Sequence, residues 1–160
     1  MQEYASANTS VKQIAHTFKA IQFKNTDRVL DYGGGKYEIT SDYMKNRVAV
    51  FEVFDPYNRA TEHNNRVITR DYNVITCNNV LNVIKENEII EDIVKTIYEK
   101  LPTGGRAYFL IKTPDKKHNG AYISNKGYQR NEKPTAYIAF IESQPWTTIS
   151  RKSNLFTCIK

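Results

Sequence analysis

Cysteine and histidine are scarce in this sequence, and their spacing excludes more than their number does. The two cysteines, Cys77 and Cys158, form no Cys-x-x-Cys pair and have no histidine beside them. Neither a disulfide framework nor a structural zinc site is expected, and the thiols read as reduced in a cytoplasmic setting. His16, His63 and His118 fall in different segments, so they supply no metal-ligating cluster. No run approaches the roughly 18 apolar residues of a membrane span. The opening Met1-Gln2-Glu3-Tyr4 lacks the basic-then-apolar order of a secretory leader. A soluble chain without a membrane partner is expected, and neither internal repeats nor low-complexity tracts interrupt it.

What is present fits one domain. A length of 160 residues allows a single sizeable core, and eleven tyrosines argue against disorder. The net charge of +6 suits an anionic partner such as a nucleotide or nucleic acid, though it is modest for a protein that lives on DNA.

Taken in order, Ser10 and Gln13 have the spacing of a capping box. Val11, Ile14, Ala15, Phe18 and Ile21 then recur at helical intervals, which predicts an N-terminal helix over about 10–22 within a segment 1–24 that packs on the rest. Arg28 to Tyr32 reads as a strand that runs into Gly33-Gly34-Gly35, with a short helix over 37–46. The nearly continuous apolar run of 47–55 predicts a strand covered on both faces. No helix is placed in the polar stretch 56–71, whose crossover is compressed to near the minimum for a parallel connection. A strand over 73–81, a helix over about 90–101 and a strand over 106–112 follow. Residues 135–142 fit a helix or a strand, and 146–151 with 155–159 read as a terminal hairpin. Alternating β and α units predict an α/β fold: a doubly wound, mostly parallel sheet with a C-terminal antiparallel hairpin.

The stretch Val29-Leu30-Asp31-Tyr32-Gly33-Gly34-Gly35 is the strongest signal. Glycines at a strand-to-helix turn let the backbone pass close to a ligand, and the helix start presents unpaired N–H groups; a loop that needs only flexibility is the plainer reading. Cys77 sits in a predicted strand, where it reads as a buried residue and not as a nucleophile.

With Asp55, Asn78 and Leu101-Pro102-Thr103-Gly104-Gly105-Arg106 at their spacings, the span of about 27–111 resembles the class I S-adenosylmethionine-dependent methyltransferases. Gly-Gly-Gly-Lys-Tyr, Asp-Pro-Tyr-Asn-Arg and Cys-Asn-Asn-Val-Leu-Asn-Val-Ile resemble more narrowly the small methyltransferase-like proteins of phages. The resemblance implies a Rossmann-like methyltransferase domain over 1–160 with S-adenosyl-L-methionine as cofactor. Asp31 would steady the turn or meet the methionine amino group, and Gly33, Gly34 and Gly35 would lie against the amino-acid moiety. Asp55 would accept the ribose hydroxyls, or else serve as a turn acid. Pro56 and Tyr57 would flank the adenine. Asn78 and Asn79 would bind the methionine carboxylate or the substrate, or else hold the strand end. Three departures stand out: Tyr37 replaces the family's third glycine, the stretch that carries a third strand and an adenine-contacting acid is so short that only Asp71 stands in, and base-methylating signatures are absent.

On the acceptor side, 115–137 interleaves basic and aromatic residues, with Tyr128, Gln129 and Arg130 as the candidate substrate-binding set. The alternative is a solvated loop whose lysines serve solubility. Two functions are therefore carried forward: methyl transfer to an unidentified acceptor, with a nucleotide or nucleic acid as candidate, and a non-catalytic phage binding or inhibitor protein that holds a nucleotide-like ligand or a host partner. Neither the catalytic residues nor the oligomeric state is legible.

Overall fold

The structure is a computed structural model that describes residues 2–4 and 9–160. Residues 1 and 5–8 of the expected segment 1–24 lie outside the described residues. Its central sheet has six strands: β1 (Arg28–Tyr32), β2 (Val50–Phe54), β3 (Val74–Asn78), β4 (Arg106–Leu110) and the hairpin formed by two further strands, Thr148–Lys152 and Leu155–Ile159. A short separate pair, β5 (Tyr122–Ser124) and β6 (Gly127–Gln129), precedes that hairpin, whose strands are therefore β7 and β8. The order is β2-β1-β3-β4-β8-β7, with parallel pairing from β2 to β4 and antiparallel pairing from β4 to β7.

Alternate residues of each parallel strand feed opposite faces, which is why these strands read as apolar runs. Val29 and Val74 point into one layer with Phe18 of helix α1 (His16–Ala20) and Met44 of α2 (Ile39–Met44). Leu30 and Ile75 point into the other, with Ile90, Val94 and Ile97 of α4 (Asn87–Lys100) and Ile141 of α5 (Ile138–Glu142). Helix α3 (Thr61–Ile68) joins this second face through Ile68. The ambiguous stretch near 135–142 resolves as a 3₁₀ turn, Pro134–Tyr137, that runs into α5. Among the described residues, no helix is long and apolar enough to cross a membrane.

Several expectations are corrected. The N-terminal helix covers only His16–Ala20, and its N-cap is Ala15 with no side-chain cap, so the Ser10–Gln13 box does not form. Ser10 instead lies against the glycine turn: a Cβ on Gly35 would meet its Oγ at 2.8 Å. β2 is an edge strand in which only Val53 is buried, because the sheet ends there and Glu52 faces Tyr72 and Arg70. A helix, α3, does occupy part of the stretch 56–71. Its buried residues are Asn64 and Val67, and the polar one hid the period: the Asn64 amide accepts from the Asp55 N–H at 3.0 Å and donates to the Asp55 carbonyl at 2.9 Å.

Asp27 ties the amino ends of four strands together. It is 1% exposed, and its carboxylate accepts from the Lys24 N–H (2.8 Å), Asn73 Nδ2 (3.0 Å) and Arg106 Nη2 (2.7 Å). Its carbonyl takes the N–H groups of Ala49 and Val50. Burial opposes the charge, but these donors and the Arg106 guanidinium outweigh it and hold the carboxyl below the usual range. The stabilisation is therefore full above the unfolded pKa and fades as pH falls through the lower native one. Asp27→Ala is expected to lower the urea-unfolding free energy at pH 7 by roughly 2–4 kcal/mol, with the deficit narrowing in acid.

Candidate active site

In an open doubly wound sheet, ligands bind beyond the carboxyl ends of the strands where the chain leaves in opposite directions. Here that point lies between β1 and β3, because β1 is followed by β2 on one side and neighbours β3 on the other. A cavity of about 670 Å³ opens there, within the range of about 300–1,000 Å³ for small-molecule sites.

The glycine turn forms one wall, and its side-chain-free surface is required by packing. Gly33 has φ +80°, and a Cβ there would sit 2.4 Å from Val80 Cγ2; a Cβ on Gly34 would sit 2.5 Å from Asp31 Oδ2. The turn is held to the end of β2 by Gly33 N–H to the Phe54 carbonyl (2.7 Å) and Gly35 N–H to Asp55 Oδ2 (2.8 Å). Asp55 is 5% exposed. Its Oδ1 accepts three further hydrogen bonds at 3.0 Å, from Tyr57 N–H, Asn58 N–H and Asn58 Nδ2. Only Oδ2, with a single donor, keeps room for a ligand hydroxyl.

Asp31 is the second buried acid, 4% exposed. Its Oδ1 accepts from Thr76 Oγ1 (2.7 Å) and Asn78 Nδ2 (3.0 Å). Burial pushes its carboxyl up to about 6, against the pull of those two donors. Asn78 is engaged on its other atom too, its Oδ1 accepting from Thr17 Oγ1 at 2.5 Å. Asn79 adopts φ 56°, and its N–H reaches the Leu110 carbonyl at 2.8 Å, joining the ends of β3 and β4.

Asp31, Gly33, Gly34, Gly35, Asp55, Pro56, Tyr57, Asn78 and Asn79 all line this one cavity. Tyr128, Gln129 and Arg130 do not. Tyr128 stacks on Tyr4 with ring centroids 5.7 Å apart, Gln129 Oε1 accepts from Asn82 at 3.1 Å, and Arg130 donates to the Ile84 carbonyl (3.2 Å) and Asn87 Oδ1 (2.6 Å). Gln129 and Arg130 thus fasten the end of the β5–β6 hairpin onto the turn before α4, and Tyr128 holds the N-terminal Tyr4. Asp71 is displaced as well: its carbonyl accepts from Arg28 Nε at the start of β1, the opposite end of the sheet. Tyr37 does not line the cavity, and Cys77, 1% exposed, is a core residue whose thiol burial pushes well above its ordinary range.

Sequence reasoning missed two walls. Ile89, Asp92, Ile93 and Thr96 of α4 line the cavity, and their spacing of three, four and seven marks one helix face, a signal available beforehand. Ser10, Gln13 and His16 line it from the N-terminal segment, and Lys112 from beyond β4; the apolar period of 10–22 pointed to a helix there and not to a wall of the cavity.

Because native Asp31 binds its proton more tightly than an unfolded aspartate, its ionisation lowers stability as pH rises from 3.8 to about 6. The unfolding free energy of Asp31→Asn minus that of the wild type is expected to rise by roughly 2–3 kcal/mol across that window in urea titrations at successive pH values.

A family model described as a methyltransferase domain matches residues 2–155. A search of curated proteins found no match. Among solved structures, human N-acetylserotonin methyltransferase in complex with SAM aligns with TM-score 0.63 and 14% identity over 90% of this chain and 50% of that one. Streptomyces venezuelae DesVI aligns with TM-score 0.61 and 9% identity over 84% of each chain. An S-adenosylmethionine-dependent methyltransferase from Mesorhizobium loti aligns with TM-score 0.60 and 8% identity over 89% and 94%. At these identities the likeness establishes a shared fold, and the chain spans about half the length of the human protein.

Proposed function

The chain belongs to the methyltransferase-domain family, and from that premise we propose that it transfers a methyl group from S-adenosylmethionine to a small acceptor that shares its cavity. The observation that carries this reading is the pair of buried carboxylates, Asp31 and Asp55, flanking one glycine turn in one cavity. The residues fit the cofactor. Asp31 is desolvated and, among the described residues, has two neutral donors and no ion pair, an environment suited to the methionine ammonium. The glycine turn suits close approach of the amino-acid moiety, Asp55 Oδ2 suits a ribose hydroxyl, and Pro56 and Tyr57 suit the adenine. Asn79 stands at the end of β3, where a methionine carboxylate or the acceptor would lie.

A bound cofactor would supply a methyl group on a sulfonium, an electrophile that needs in-line approach of a nucleophile in a dry site. The chain's part is positioning and exclusion of water, so no general base is assigned. A free nucleotide or another small molecule fits the cavity volume. The internal use of Tyr128, Gln129 and Arg130 removes the support that 115–137 lent to a nucleic-acid strand.

The proton on Asp31 makes the reading testable by calorimetry. Affinity for S-adenosylhomocysteine is expected to be greatest between about pH 6 and about 8, since an α-amino group loses its charge near 7.7–8.0, and to fall about tenfold per unit below that. Asp31→Asn should bind about 10–100-fold more weakly at pH 7 and lose the acid limb. Absence of binding of either S-adenosylmethionine or S-adenosylhomocysteine at any pH would overturn the proposal. Asp55→Ala should lose a similar factor of affinity and, unlike a residue that serves only the ligand, also melt at lower temperature, because Asp55 closes the turn.

A further inference from the structure

We infer that the acceptor is an anion: a small molecule whose carboxylate or phosphate is held by Lys112, with His16 beside it, at the β4 side of the cavity. The inference rests on the S-adenosylmethionine reading above and deepens it by naming the chemistry of the acceptor. The cavity wall follows the order of the sheet. Asp55, Pro56 and Tyr57 stand after β2, the glycine turn after β1, Asn78 and Asn79 at the end of β3, and Lys112 beyond β4. The cofactor reading uses the part beyond β2 and β1. It leaves the part beyond β4 to the acceptor.

The fold brings His16 and Lys112 to that part from the same side of the sheet. Leu110 packs with Phe18 of α1, whereas Ile111 packs into the layer of α4. Ile111 still runs as a strand residue, its N–H donating to the Asn154 carbonyl at 2.9 Å and its carbonyl accepting from Asn154 Nδ2 at 2.7 Å. Alternation therefore returns Lys112 to the side of α1. Helix α1 begins at His16, and the next residue, Thr17, donates to Asn78 Oδ1 at 2.5 Å. Asn79 N–H reaches the Leu110 carbonyl at 2.8 Å. Through these two bonds the start of α1 and the end of β4 meet at the end of β3.

Charge divides the cavity along the same line. Asp31 and Asp55 belong to β1 and β2, and Asp92 of α4 stands within electrostatic reach of Tyr32 at the end of β1. Lys112 is the one lysine or arginine that lines the cavity among the described residues. Its ammonium makes no hydrogen bond or ion pair among those residues, and neither does the His16 ring. An anion seated against an uncommitted ammonium gains charge-assisted hydrogen bonds that a neutral molecule of the same shape does not. The rival anion for Lys112 is the carboxylate of the cofactor itself, and the test separates the two.

That test is calorimetric. S-adenosylhomocysteine is titrated first into the full chain and into Lys112→Gln, His16→Gln and Lys126→Gln, the last replacing an exposed lysine outside the cavity. Each loaded protein then receives benzoate, phenyl phosphate or the neutral benzamide. Lys112 and His16 are exposed, so unchanged melting temperatures serve as the folding control. All four proteins should bind S-adenosylhomocysteine within about threefold of one another. The loaded wild type should bind one of the two anions at least about tenfold more tightly than benzamide, and which anion it is tells carboxylate from phosphate. Lys112→Gln should bring that anion within about threefold of benzamide, His16→Gln should weaken it about threefold, and Lys126→Gln should leave it unchanged. If the loaded wild type favours neither anion, or Lys112→Gln keeps the full preference, this inference falls and the cofactor reading stands. A loss of about tenfold in S-adenosylhomocysteine affinity in Lys112→Gln would give Lys112 to the cofactor and also overturn it. If the wild type does not bind S-adenosylhomocysteine, both readings fall together.

Discussion

One hydrogen bond organises the ligand-facing end of this protein: the N–H of Gly35 given to Asp55 Oδ2 across the ends of β1 and β2. It fixes the third residue of the glycine turn to an acid whose other oxygen is held by the N–H groups of Tyr57 and Asn58. The Asp55 main chain is in turn clamped by Asn64 from α3. Two loops that belong to different βα units therefore move as one, and the cavity wall they form is set before any ligand arrives. A preformed wall lowers the ordering cost of binding.

The same end of the molecule is where stability is given up. Asp31 is a buried carboxylate whose proton the fold holds more tightly than water does, and Gly33, Gly35 and Asn79 hold positive φ. Such features are costly in an ordinary core and gather where a ligand is to be met. The opposite end shows the reverse economy: Asp27 is fully partnered and its charge is favoured. The sheet is thus anchored at the amino ends of its strands by a favoured charge and carries at the carboxyl ends, in Asp31, one that burial disfavours.

How much of this was legible depended on whether a signal was local. The run Val29 to Gly35 announced strand and turn because burial on both faces and positive φ each leave a mark on residue type. The period in Ile90, Ile93, Val94 and Ile97 announced α4, which begins only a few residues earlier than expected. The terminal hairpin was equally plain, since Ser153, with φ 58°, sits in its turn. Helix α3 was illegible because its buried face carries Asn64, whose partner is the backbone of Asp55, in the loop after β2 and in no periodic relation to the helix. The N-terminal segment had a helix period, but Ser10 is drawn against Gly35 instead of capping. The residues Tyr128, Gln129 and Arg130 looked like a binding set because basic and aromatic groups suit both ligands and internal fastening; only their partners tell the two apart.

The claim that matters most is where the cofactor sits, and hydrogen–deuterium exchange with and without S-adenosylhomocysteine tests it without a known acceptor. The account predicts slowed exchange in peptides covering 31–35, 55–58 and 78–96, with 115–137 unchanged. Binding that protects 115–137 and leaves the glycine turn and the first half of α4 unaltered would contradict it.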